Sequence, residues 1–237
     1  MRVCIKRVIV IIALCVIALP VFAQTQTPIR EQRDTMRNEA REAASARKQI
    51  EQRQAEFKSM VSAKREEAKA SIDKKRADLR QRLQNIHDER KKKTVERIDA
   101  QIDALNERWT SHFSTILDRL EIIVGKIEER ITQEEQRGSD ISTVKSMVAE
   151  AKSAIVASRT AVVSQAGKTY SIAVSTEETL REETGKTRKE LHRDLVIVRD
   201  TVLRAREMVH VAAVALAQVT KKEPNQATTT QATQNIQ

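Results

Sequence analysis

The chain is short of cysteine, proline, glycine and aromatic residues. Its two cysteines, Cys4 and Cys15, both lie in the first 23 residues, so the rest of the chain has no thiol for a disulfide, a metal site or a nucleophile. No proline lies between Pro28 and Pro224, and the whole chain has four glycines. Because turns between strands use both residues, this scarcity argues against a β-rich fold and predicts long helices. Aromatic residues make up only 2% of the chain, which predicts an elongated all-α molecule.

The one long apolar run stands at the N-terminus and predicts a signal peptide over residues 1–23. Arg2, Lys6 and Arg7 precede twelve apolar residues, 8–19, and Pro20 then precedes small residues that end at Ala23. Twelve apolar residues are too few for a membrane span, which needs about 20. We therefore expect cleavage after Ala23, export to the periplasm, the cell surface or the exterior, and no stable membrane insertion afterwards.

The positive charge is concentrated in residues 24–93, which carry 20 lysines and arginines against 12 acidic residues. Apolar residues recur there about once per heptad, which is half of a coiled-coil seam. This pattern predicts a charged, basic helical stalk over residues 24–93, ending near Lys91–Lys93, where the apolar stripe lapses. Such a stalk is either a solvated spacer or an arm that docks on an acidic partner.

The longest apolar stripe runs from Val95 to Ile131 in steps of three and four residues, which places its members on one face of a helix. This helix is acidic, and Gly138 after Arg137 predicts its end. Four residues in the middle of the stripe are the expected core anchors, namely Leu105, Trp109, Phe113 and Ile116. A Trp and a Phe one turn apart form either a recognition patch or core anchors, and we favour the core.

A second helix is predicted from Ser142, which would cap it, to about Gly167, antiparallel to the first because the linker is short. Residues 168–175 alternate between apolar and polar, which predicts either a short extended segment that lays Tyr170, Ile172 and Val174 on the bundle or an ordinary loop. The sequence from Ser175 to Glu178 matches a capping box that opens the last helix.

The last helix carries a nine-position apolar stripe from Leu191 to Val219 with the 3.5-residue coiled-coil period. Additional apolar residues lie beside that stripe. They form a predicted interface for a partner helix or a homo-oligomer at Val196, Leu203, Val211 and Val214. Residues 94–222 are thus predicted to form an antiparallel three-helix bundle, and residues 223–237 a disordered polar tail.

No catalytic, cofactor-binding or metal-ligating residues are predicted. The four histidines stand apart and form no HExxH motif, and the chain has no glycine-rich phosphate loop. His192-Arg193-Asp194 matches the kinase catalytic tripeptide but lies inside a helical pattern without the other kinase motifs. We therefore expect the protein not to be an enzyme.

Residues 97–109 and 187–202 resemble predicted-secreted all-helical proteins of environmental bacteria that have no assigned activity. That resemblance implies a helical fold and an exported location only. In composition the chain is also loosely similar to the Skp/OmpH periplasmic chaperones, although no motif supports that likeness.

Three functions remain open. The first is structural or interaction work in the bacterial cell envelope, through a protein partner or self-association. The second is a periplasmic holdase chaperone, and the third is binding of an acidic envelope polymer through the basic stalk. Nucleic acid is a poor candidate for that polyanion, because no aromatic residues are interleaved with the basic ones for base stacking.

Overall fold

The structure, a computed structural model, describes residues 27–222, which are helical apart from their connecting segments and contain no strand. The four helices are α1 (Thr27–Leu83), α2 (Glu89–Gln136), α3 (Ser142–Ala166) and α4 (Leu180–Lys222). The chain divides into two compact units, residues 1–47 and 48–237. The predicted signal peptide, 1–23, and the predicted polar tail, 223–237, lie outside the described residues.

The second part of α1 packs against the other helices. Its buried side chains include Phe57, Val61, Ala68, Leu79 and Leu83, all 6% exposed or less. A complete coiled-coil seam has two apolar positions per heptad, and the series through Phe57 provides only one of them. Val61 and Ala68, which are seven residues apart, provide the second. The predicted arrangement of a stalk before a three-helix bundle is therefore not confirmed, because four helices contribute buried side chains between residues 48 and 222.

The connection between α1 and α2 lies at residues 84–88, ahead of the predicted boundary at Lys91–Lys93. Helix α2 begins here because Asp88 is its N-cap. The Asp88 carboxylate accepts hydrogen bonds from the backbone N–H groups of Arg90 and Lys91. The three lysines thus lie in the first turns of α2. The two helices run antiparallel, since Arg76 donates to Asp103 and Gln54 donates to the Asp118 carbonyl further along α2.

The inward face of α2 differs from the predicted apolar stripe in the middle of the helix. Asn106 and Thr110 are buried there, whereas Trp109 is 41% exposed. The prediction of Trp109 as a core anchor is therefore wrong. The polar side chains at 106 and 110 take the inward positions because other helices satisfy their hydrogen bonds, and Trp109 is rotated toward solvent.

The turn between α2 and α3 was predicted correctly at Gly138, whose φ of +86° lies in the region that favours glycine. Helix α3 begins at Ser142 as predicted, but the Ser142 hydroxyl does not cap it. Instead, the carboxylate of Asp140 accepts hydrogen bonds from both the backbone N–H and the hydroxyl of Ser142.

The segment between α3 and α4 has no regular secondary structure, yet its burial alternates as predicted. Tyr170 and Ile172 are 6% and 3% exposed, Val174 is half-buried, and the residues between them are exposed. Helix α4 begins at Leu180, a few residues after the predicted capping box. Its predicted stripe is buried or half-buried at all nine positions from Leu191 to Val219.

The buried apolar residues form two clusters. The larger contains residues of all four helices, among them Phe57, Phe113, Val148 and Ala205. The smaller surrounds the α1–α2 connection and includes Leu83, Ile102 and the segment residues Tyr170 and Ile172. On α2, Asn106 and Thr110 lie between the parts that contribute to the two clusters.

Candidate functional site

A layer of hydrogen-bonded polar side chains separates the two apolar clusters. Gln165 Nε2 donates to Asn106 Oδ1 at 2.8 Å and to the Tyr170 hydroxyl at 2.8 Å. The Tyr170 hydroxyl donates to Asp194 at 2.9 Å, and Lys168 Nζ forms an ion pair with the same carboxylate. Because each buried group has a partner, the layer fixes one register for α2, α3, the connecting segment and α4.

The electrostatics of this layer keep Asp194 ionised. Burial alone would raise the pKa of Asp194, but the hydrogen bonds from Lys168 and Tyr170 outweigh it and lower that pKa below its usual range. Burial raises the pKa of the Tyr170 hydroxyl, which therefore stays protonated and remains a hydrogen-bond donor. The ionised Asp194 and the protonated Tyr170 hydroxyl therefore keep the hydrogen bond between them.

A second polar cluster joins α1 to α2. The Arg76 guanidinium donates to Asp99 at 3.3 Å and to Asp103 at 2.8 Å. Burial raises the pKa of Asp99, and burial together with the neighbouring Asp99 raises the pKa of Asp103 to about 6. The Arg76 guanidinium is thus hydrogen-bonded to two carboxylates, and the pKa of one of them, Asp103, is about 6.

Arg159 of α3 connects three helices. Its guanidinium forms ion pairs with Asp118 and Glu121 of α2, at 3.1 and 2.7 Å. It also donates to the Arg53 carbonyl of α1 and lies 4.7 Å from the centre of the Phe57 ring. This contact combines a buried ion pair with a cation–π interaction, and it holds α1 against α2 and α3.

Beside Arg159, an open groove of about 480 Å³ lies between α1 and α3, above α2. We call it the α1–α3 groove. Phe57, Val124 and Ile155 are buried in its floor, whereas Met60 and Val156 are 51% and 64% exposed. The sequence pattern does not predict this groove, although Met60 and Val156 are apolar residues outside the predicted stripes of their helices.

The second exposed apolar surface is the one predicted on the last helix. Leu203, Val211 and Val214 are 48%, 36% and 42% exposed, and Val196 is half-buried. We call these four residues the α4 outer stripe. They lie away from the buried positions of α4, such as Val202, Ala205 and Val209, and none of the residues that line the α1–α3 groove belongs to α4.

The predicted core anchors have different environments. Phe113 is buried, and Leu105 and Ile116 are half-buried against the clusters. Trp109 makes ring contacts with His112 and Phe113 of its own helix, at centroid distances of 5.7 and 5.6 Å. The four residues therefore lie along one helix without forming a single buried site.

Two further observations concern chemistry and location. Across residues 27–222, no three His, Asp or Glu side chains converge to hold a metal ion. No helix in this part of the chain is long and apolar enough to cross a bilayer.

The chain matches no known family, no curated protein and no solved structure.

Proposed function

We propose that this chain is an exported, non-enzymatic helical protein of the bacterial cell envelope that acts by binding a protein partner. The observation that carries the proposal is the α4 outer stripe, which stays exposed although the nine-position stripe of the same helix is buried or half-buried. Apolar side chains that stay exposed together on one helix often mark an interaction site. The pattern of residues 1–23 supports the exported location.

The polar layer also supports a role in binding rather than catalysis. Its side chains are paired with one another, so they stabilise a rigid arrangement of α2, α3 and α4. A rigid scaffold presents the α4 outer stripe with little loss of conformational freedom on binding.

A photo-crosslinking amino acid at Leu203, introduced in cells, tests the proposal. We expect a discrete crosslinked product in the envelope fraction, and a weaker product when Val214→Lys is added on the same stripe. The control position is Gln133, which is polar and exposed but belongs to α2. Equal products from both positions, or none from Leu203, would contradict the proposal. A broad ladder of products from Leu203 would instead indicate the holdase function.

A second candidate is binding of an acidic polymer through the first part of α1. Arg33, Arg37 and Arg41 are exposed at four-residue spacing, which places them along one face of the helix. Replacing all three with glutamine should weaken binding to an acidic polysaccharide and reduce its salt dependence. Replacing Arg188, Arg204 and Arg206, three exposed arginines of α4, with glutamine is the matched control. An affinity that is unchanged by the three glutamines would exclude this candidate.

A further inference from the structure

The α1–α3 groove needs an occupant that is apolar along its centre. Its floor and lips are formed by aromatic and aliphatic side chains, including Phe57, Met60, Val124 and Val156. Two of these, Met60 and Val156, are more than half exposed, so the unoccupied groove leaves apolar surface in contact with water. Covering such surface is favourable in proportion to its area.

The charges of the groove restrict the occupant further. Its lining contains three cations and three carboxylates, and every cation is already paired: Arg53 with Glu121, Lys152 with Glu128, and Arg159 with Glu121. A strongly charged ligand would have to break these pairs to bind. The lining is also neutral overall, so it does not repel another copy of a chain whose net charge is +10.

The α4 outer stripe meets these requirements. Its exposed part from Leu203 to Val214 spans about 17 Å along the helix, and the groove walls, residues 50–60 and 152–164, span about 15 to 18 Å. Arg204 and Arg206 flank the stripe, and Glu207 lies within it between Leu203 and Val211; all three are exposed and have no ion-pair partner among the described residues. At the rim of the groove the Glu56 carboxylate is exposed and accepts a hydrogen bond from Gln52 but has no ion-pair partner among the described residues, so Arg204 or Arg206 can pair with it.

We propose that the α4 outer stripe of one copy docks in the α1–α3 groove of a second copy. This inference rests on the proposed function, since it names the partner of the same stripe. Because the stripe and the groove are different surfaces, the contact is head-to-tail and leaves one groove and one stripe free at the two ends of every dimer. Copies therefore add to one another until a ring closes or a filament forms.

Sedimentation velocity of the full chain over a wide concentration range tests the inference with two exposed substitutions. Val156→Lys blocks the groove and Leu203→Lys blocks the stripe, and each should abolish association while the helical circular dichroism stays unchanged. Ile122→Lys is the matched control, because Ile122 is an apolar α2 residue, 44% exposed, that belongs to neither surface. This control should associate like the unmodified chain.

The decisive measurement is an equimolar mixture of the Val156→Lys and Leu203→Lys chains. The first keeps its stripe and the second keeps its groove, so the mixture should form one-to-one dimers and nothing larger. A groove variant that still associates would overturn the inference in favour of a symmetric α4–α4 contact, which leaves the proposed function intact. An unmodified chain that remains a monomer throughout would also overturn the inference, and crosslinking from Leu203 to a different protein would then still support the proposed function.

Discussion

Replacing Phe57 with alanine removes the largest side chain by which α1 contacts the other helices. The ring is 1% exposed, and the Arg159 guanidinium lies over it at 4.7 Å. The same guanidinium pairs with Asp118 and Glu121, so the ring covers one side of a buried ion-pair cluster. The substitution therefore opens a cavity and also exposes part of that cluster.

The expected loss is large relative to the stability of a domain. Truncating a fully buried Phe costs about 3–5 kcal/mol, which includes the cavity that it leaves. A desolvated cation–π contact contributes up to about 2 kcal/mol of that loss. At about 2–4 °C per kcal/mol for a unit of this size, the melting temperature should fall by roughly 10 °C.

Thermal and urea unfolding followed by far-ultraviolet circular dichroism measure this loss. The first control is Met60→Ala on the same helix, where a side chain that is 51% exposed should cost less than about 1 kcal/mol. The second is Trp109→Ala, where the side chain is 41% exposed and contacts residues of its own helix. Its removal leaves no enclosed cavity and should cost about 1–2 kcal/mol.

The order of the three losses in stability shows whether this part of α1 packs against the other helices or is a solvated stalk. If α1 were a solvated stalk, Phe57→Ala would cost no more than Met60→Ala, and Trp109→Ala would be the most damaging of the three. That order would refute the placement of Phe57 in the core and restore the interpretation based on the sequence pattern.

Three further predictions test other parts of the structure. Trp109 is the only tryptophan, so acrylamide should quench the fluorescence of the native protein substantially, and fluorescence fully protected from quenching would place Trp109 in the core. Gly185→Ala should raise the free energy of unfolding by about 1 kcal/mol through helix propensity. Gly125→Ala should raise the free energy of unfolding by less than Gly185→Ala. The new Cβ at 125 would lie 2.7 Å from Ile50 Cδ1, so that side chain must rotate, whereas the space at Gly185 is open. Equal gains for the two variants in urea unfolding would contradict this. Asp103 has a pKa of about 6 in the folded protein, above its unfolded value, so the fold binds this proton more tightly. The unmodified chain should therefore gain about 2 kcal/mol relative to Asp103→Asn as the pH falls from 7 to 4, and parallel stability curves for the two proteins would disprove the assignment.

The sequence by itself determined the helices and the apolar seam of the last one. Scarce glycine and proline, Gly138 after a basic residue, and the regular 3.5-residue stripe of α4 are local signals, and each follows from backbone geometry or from helix periodicity. The exposure of Leu203, Val211 and Val214 was likewise predictable from the sequence. The seam of α4 is already complete without these residues, so they were expected on the outer side of the helix. Helix existence and the α4 outer stripe therefore needed no knowledge of the neighbouring helices.

Only the tertiary structure decided which polar residues face inward. Asn106 and Thr110 on α2, and Gln54 on α1, read as surface residues in the sequence, yet each is hydrogen-bonded to another helix. A polar group is buried only where a partner satisfies it, and the partner lies far along the chain, so no local pattern reveals it. For the same reason the sequence placed Trp109 in the core and left Phe57 on a stalk, and the α1–α3 groove became visible only when α1, α2 and α3 were brought together.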